Sequence, residues 1–96
     1  MNLGNAIKSR RVSKGINQLE LANRCNITQS YLSQIENNLK EPNLSTLKKI
    51  AEVLEVPLPL LFFLSLDEND VAEEKRRDFI IINNSIKSLV SSYFLV

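Results

Sequence analysis

Four polar side chains in the first half of the chain have the types and spacing needed to read base-pair edges. Gln29, Ser30, Ser33 and Gln34 stand at positions i, i+1, i+4 and i+5, so on a helix they share one surface. A Gln carboxamide presents a donor and an acceptor in one plane, which matches the N6/N7 pattern of adenine in the major groove, and a Ser hydroxyl serves either kind of edge. No acidic residue interrupts this strip, where it would repel phosphates. By itself the strip also fits a solvated helix face, so its interpretation depends on the elements around it.

The side chains that most catalytic and metal sites need are missing. The 96 residues include no His and one Cys, Cys25, which excludes a His/Cys metal cluster, a Ser/His/Asp triad and a Cys/His pair. The densest acidic run, residues 67–70, holds only three acids. A lone Cys is typical of a small buried side chain in a reduced compartment. We therefore expect a protein that is not an enzyme and needs no metal or other cofactor.

The net charge of +1 conceals a gradient along the chain. Residues 1–52 carry eight Lys and Arg against four Glu, a net +4, whereas residues 67–96 carry four basic against six acidic side chains, a net −2. Halves of opposite sign favour nucleic-acid contact at the basic end.

No membrane or export signal stands out. The N-terminus lacks the continuous apolar stretch of a secretory signal, and the longest apolar run, residues 56–66, is too short to span a bilayer and contains two prolines. We expect a cytoplasmic protein that does not contact membranes.

The periodicity of apolar residues predicts an all-α fold, punctuated by only two Gly and three Pro. The predicted helices span residues 2–14, 18–25, 28–37, 44–54 and 57–64. Their predicted N-terminal signals are Asn17, Thr28 and the pair Pro42-Asn43, and their predicted left-handed ends are Gly15 and Asn38. In the fourth helix one buried stripe is predicted, comprising Leu44, Leu47, Ile50, Ala51 and Leu54.

A sixth helix is predicted in the C-terminal tail, where Phe79, Ile82, Ile86, Leu89, Tyr93 and Val96 recur at spacings of 3 and 4. Such a seam needs a partner. The acidic residues 67–70 form either a linker or the capped start of this helix. A rival interpretation is two strands around a turn at residues 83–85, and the length of the pattern favours the helix.

Residues 17–25 and 28–37 form two short helices joined by a tight turn, the helix-turn-helix arrangement. The two helices are expected to cross at Ala22. A larger side chain at this position would force them apart. The motifs QLELA at 18–22, ITQSYLSQIEN at 27–37 and LKKIA at 47–51, with Pro42 between them, resemble the Cro/C1-type helix-turn-helix family of phage repressors and bacterial Xre-like regulators. The resemblance covers about residues 3–64.

The resemblance implies a five-helix lambda-repressor-like helix-turn-helix bundle with an additional C-terminal helix. We expect a DNA-binding domain over residues 1–66 and a dimerisation or partner-binding segment over 67–96. The implied DNA-binding residues are Gln18, Thr28, Gln29, Ser30, Ser33, Gln34, Asn37 and Lys40, of which Gln18, Asn37 and Lys40 would hold phosphates. Arg11 and Glu36 match a pair that forms a structural salt bridge in the family. Asn26, Asn38 and Glu55 stand where Gly is common, and Arg10 where an apolar residue is frequent, so we expect moderate stability.

The function predicted from the sequence is a sequence-specific DNA-binding transcriptional regulator, a dimeric repressor that reads a palindromic operator in double-stranded DNA with helix 28–37. The predicted homodimer interface comprises Leu61, Phe62, Phe79, Ile82, Ile86, Leu89 and Tyr93. The alternative is an antitoxin-like protein-binding module whose C-terminal segment binds a protein partner and whose DNA binding is autoregulatory. Controller proteins of restriction-modification operons share the first mechanism and differ only in genomic setting.

Overall fold

Six α-helices and two short 3₁₀ turns make up residues 1–94, the part of the chain that this computed structural model describes. The helices are α1 (Leu3–Ser13), α2 (Gln18–Arg24), α3 (Gln29–Glu36), α4 (Leu44–Val53), α5 (Leu58–Ser65) and α6 (Arg76–Phe94), and the 3₁₀ turns are Glu68–Asp70 and Glu73–Lys75. The all-α prediction is confirmed. The first five helices begin and end within one residue of the predicted positions. Val96, the last residue of the predicted seam, lies outside the described residues.

Side-chain caps start the first four helices. Asn2, Asn17, Thr28 and Asn43 each accept a hydrogen bond from the backbone N–H three residues on, at 2.8–3.0 Å. Each such cap satisfies one of the N–H groups that a helix start leaves unpaired. The predicted starts of α2, α3 and α4 are therefore confirmed, because the capping residues act through local geometry that the sequence carries.

Left-handed residues end four of the helices. Gly15 has φ 74°, Asn26 56°, Asn38 59° and Glu55 55°. The predicted left-handed ends at Gly15 and Asn38 are confirmed, and Asn26 and Glu55 adopt the conformation of the glycines that they replace. A side chain in this region costs about 1–2 kcal/mol, and Asn tolerates it better than Glu.

The hydrophobic core lies between α1, α2, α3, α4 and α5. Its largest fully buried side chains are Ile7, Leu21, Cys25, Leu32, Ile35, Ile50, Leu54 and Leu61. Desolvation raises the pKa of the Cys25 thiol, which therefore stays neutral and packs as a small apolar group.

Two predictions about this core are corrected. Leu44 is 57% exposed, because it lies at the first position of α4, before the helix turns its apolar stripe inward. Leu61 is 0% exposed and belongs to the hydrophobic core, so it does not lie at the surface, where the predicted dimer interface would place it. Its neighbour Phe62 is half-buried.

Residues 76–94 of the tail form a helix, so the strand interpretation is wrong. Residues 67–70 form a linker, since Asp67 and Asp70 cap the first 3₁₀ turn and α6 begins only at Arg76. Arg76 Nε donates to the carbonyls of Glu68 and Val71 at 3.1 and 3.3 Å, which ties the helix start to this linker. None of the helices in residues 1–94 combines the length and the apolar character that crossing a bilayer requires.

The buried face of α6 differs from the predicted seam. Asn83 and Val90 are buried, and Phe79 and Ile86 on the same side of the helix are half-buried. Three seam residues face solvent instead: Ile82 is 56% exposed, Leu89 59% and Tyr93 79%. The helix packs on the 3₁₀ turns with a face that is rotated from the heptad seam. One apolar stripe (Ile82, Leu89 and Tyr93) is therefore left exposed within residues 1–94.

Candidate nucleic-acid interface

The recognition helix α3 is held against α2 by small and branched apolar side chains. Leu21 and Ala22 of α2 and Leu32 and Ile35 of α3 are at most 1% exposed. Between the helices, Cys25 and Asn26 form the turn, and Ile27 N–H donates to the carbonyl of Ala22 at 3.0 Å. This packing fixes which side of α3 faces outward.

The outward side of α3 carries the strip of polar residues that the sequence singled out. Thr28, Gln29 and Ser30 are exposed, and Ser33 and Gln34 are half-buried. Within residues 1–94 the side chains of Gln29, Ser30 and Gln34 form no hydrogen bond, so their donors and acceptors are available to a ligand. Thr28 differs, since its Oγ1 already accepts the N–H of Tyr31 at 3.0 Å, which leaves the hydroxyl hydrogen and one lone pair for a ligand.

Arg11 and Glu36 form a buried salt bridge that joins α1 to the end of α3. Arg11 Nε lies 2.8 Å from Glu36 Oε2 and Nη2 lies 3.1 Å from Oε1, a bidentate arrangement, while Nη1 donates to the carbonyl of Ile16 at 2.9 Å. Glu36 is 4% exposed. A paired charge buried in this way fixes orientation more than it adds stability.

Gln18 belongs to the same network, which sequence reasoning did not foresee. Its Nε2 donates to Glu36 Oε1 at 3.0 Å, so one of its two N–H groups is committed inside the protein. The second N–H of Nε2 remains to donate to a phosphate oxygen. The two residues are 18 positions apart, and no local signal connects them.

Asn37 and Lys40 lie together in the loop after α3, and both are exposed. The N–H groups of Leu39 and Lys40 donate to the carbonyl of Gln34 at 2.8 and 3.3 Å, which folds the loop back over the end of the recognition helix. The structure thus brings this pair to one end of the strip and Gln18 to the start of α2.

Arg10 has a structural role that the sequence concealed. It is 6% exposed, and its Nε donates to the carbonyl of Leu54 at 3.1 Å, where α4 ends. Desolvation lowers its pKa, and the carboxylate of Glu55 opposes that effect. A cation near the last carbonyls of a helix is favourable, and this explains a basic residue where an apolar one is frequent.

Known helix-turn-helix proteins are similar to this chain in sequence. The helix-turn-helix family model matches residues 7–61, more than half of the chain. The immunity repressor protein of Bacillus phage phi105 is 31% identical over 93 residues, covering 81% of this chain and 65% of that protein. The transcriptional regulator SinR of Bacillus licheniformis is 39% identical over 72 residues, covering 74% of this chain and 61% of SinR. The chain therefore spans less than two thirds of the length of these relatives.

Two solved structures resemble the chain at appreciable identity. The N-terminal DNA-binding domain of SinR from Bacillus subtilis superposes with a TM-score of 0.59 at 39% identity, over 62% of this chain and 88% of that one. A chain from the SinR/SinI protein complex gives a TM-score of 0.60 at 31% identity, over 90% of this chain and 98% of that one.

Proposed function

The chain belongs to the Cro/C1-type helix-turn-helix family of DNA-binding transcriptional regulators, and from this premise we propose that it is a cytoplasmic, sequence-specific repressor acting as a homodimer. In the proposed complex α3 enters the major groove, where Gln29, Ser30, Ser33 and Gln34 read base edges with Thr28 beside them. Gln18, Asn37 and Lys40 hold the phosphate backbone on either side of the groove.

The observation that carries this proposal is the outward strip on α3, in which the side chains of Gln29, Ser30 and Gln34 have no hydrogen-bond partner within residues 1–94. Ser33 Oγ accepts a hydrogen bond from Asn37 Nδ2 at 3.5 Å and keeps its hydroxyl hydrogen to donate. The nearest acid, Glu36, is turned inward and neutralised by Arg11, so it does not repel phosphates. Electrostatic anchoring without such a strip would give binding that is independent of sequence.

Selection from a pool of random duplexes tests the proposal. We expect the purified protein to enrich a palindrome with half-sites about one helical turn, roughly 34 Å, apart. Retention of the pool without enrichment would mean that α3 does not read bases, and an enriched single half-site without symmetry would contradict the dimer.

The proposed dimer forms through the C-terminal segment, residues 67–96, and leaves residues 1–66 free to bind DNA. The apolar stripe of α6 supports it, because Ile82 and Leu89 are one heptad apart and Tyr93 follows on the same side. Exposed apolar stripes of this kind mark interaction sites. One recognition helix contacts only a few base pairs, so pairing of two protomers supplies the length of site that specificity needs.

A second candidate makes the stripe a binding site for a different protein, as in an antitoxin-like module whose DNA binding is autoregulatory. The likeness to a chain of the SinR/SinI complex over 90% of this chain favours it. The mass of the purified chain in solution separates the two: a homodimer has twice the mass of one chain, whereas a chain reserved for another partner is monomeric until that partner is added.

A further inference from the structure

Asn38, two residues after the recognition helix, uses both polar groups of its carboxamide to bind the start of α1. Its Oδ1 accepts the N–H of Gly4 at 3.0 Å, and its Nδ2 donates to Asn2 Oδ1 at 2.7 Å. Because a backbone N–H only donates, these partners fix which end of the carboxamide faces Gly4. Asn2 Oδ1 is anchored in turn, since it also accepts the N–H of Asn5 as the cap of α1.

Gly4 allows the start of α1 to approach the end of α3 closely. A Cβ on Gly4 would lie 2.5 Å from the carbonyl oxygens of Ile35 and Glu36 and 2.8 Å from Asn38 Oδ1, so only glycine permits the approach. The N-terminus of α1 therefore packs directly on the C-terminus of α3, where the positive end of one helix dipole meets the negative end of the other.

The loop over residues 37–40 is consequently held on two sides. Its backbone is bound to α3 through the carbonyl of Gln34, and its Asn38 side chain is bound to α1. At φ 59° a glycine would give the loop the same turn with less strain, but it would lack the side chain that reaches α1. Asn38 supplies both the turn and the attachment.

We propose that Asn38 is a positioning residue for DNA binding: its clamp on Asn2 and Gly4 holds Asn37 and Lys40 in the geometry in which they meet phosphates. This inference rests on the proposed DNA-binding function. A loop ordered before binding loses less conformational freedom in the complex, so release of the clamp weakens binding by roughly 3–10-fold. The effect is the same on any sequence, because phosphates are common to all.

Asn38→Gly tests the inference, with Asn26→Gly as the matched control. Both positions are exposed Asn residues with positive φ at a helix end, but the Asn26 side chain has no hydrogen bond within the described chain. Affinity is measured for the selected palindromic duplex and for a random duplex over a series of salt concentrations. Lys40→Ala provides the third comparison, because loss of a phosphate contact lowers the salt slope by about one.

The positioning role predicts that Asn38→Gly weakens binding to both duplexes by the same factor, keeps the wild-type salt slope and leaves the chain folded. Exchange of the Gly4 amide hydrogen, followed without DNA, is expected to be faster in Asn38→Gly and unchanged in Asn26→Gly. If Asn38→Gly binds like Asn26→Gly and the wild type, or if its salt slope falls as in Lys40→Ala, the positioning role is wrong and the proposed function stands. If the wild type itself binds no duplex, the proposed function fails and this inference fails with it.

Discussion

Gln34 is the residue whose replacement best separates base reading from anchoring. Its carboxamide is free of partners within the described chain, and its backbone carbonyl, which holds the loop after α3, survives substitution. We expect Gln34→Ala to lower affinity for the selected palindrome by about 1–3 kcal/mol and to leave affinity for random duplexes nearly unchanged. Fluorescence anisotropy titrations with both duplexes measure the two values.

Asn23→Ala is the control for that experiment, because Asn23 is an exposed amide on α2 outside the strip and should leave both affinities unchanged. Equal losses on both duplexes in Gln34→Ala would remove Gln34 from the reading set. At this scale the residue types in the strip were predictable from sequence, whereas the bond from Gln18 to Glu36 was not, because it depends on packing between distant segments.

At one helix end a substitution is expected to raise the free energy of unfolding. Glu55 ends α4 at φ 55°, a conformation that costs a Glu about 1–2 kcal/mol, and its salt bridge to Lys14 is made by a side chain that is 77% exposed. Its negative charge also lies at the negative end of the α4 dipole. We expect Glu55→Gly to raise the free energy of unfolding by about 0.5–1 kcal/mol, measured by urea denaturation.

Glu52→Gly is the matched control, since Glu52 is an exposed Glu inside the same helix. There the glycine should lower the free energy of unfolding by about 1 kcal/mol. Loss of stability in Glu55→Gly as well would show that the attraction of the Glu55 carboxylate for Lys14 and for the buried Arg10 outweighs the backbone strain.

Caps and left-handed ends were predictable because they depend on a few neighbouring residues, as at Asn17, Thr28 and Gly15. The buried face of α6 was not predictable from the sequence. The spacing of apolar residues along the tail defines a heptad seam, but the surface against which α6 packs selects Asn83 and Val90 instead. The Oδ1 of Asn83 is buried without a hydrogen-bond partner within residues 1–94, so a polar residue lies where the sequence pattern would not place one.

The net charge differs in sign between the two ends of the molecule. A net +4 over residues 1–52 lies on the part that carries the candidate interface, and a net −2 lies over residues 67–96. Few phosphates can then be neutralised by one protomer, so non-specific affinity is expected to be modest. If the protein acts as the proposed dimer, we expect binding at physiological salt to depend on base contacts and on the doubling of contacts by the second chain.

The double variant Ile82→Ser/Leu89→Ser tests whether DNA affinity depends on a dimer formed through α6. It removes most of the exposed apolar stripe and leaves the buried face of α6 unchanged. We expect the variant to be monomeric by mass in solution and to bind the palindromic duplex about 100-fold more weakly, while its affinity for a single half-site is unchanged. Ile81→Ser is the control: Ile81 is 60% exposed but lies about 100° around the helix from Ile82, so the dimer and its affinity should persist. A double variant that stays dimeric would place the contact elsewhere, and a monomeric variant with full affinity for the palindrome would show that each half-site is bound independently.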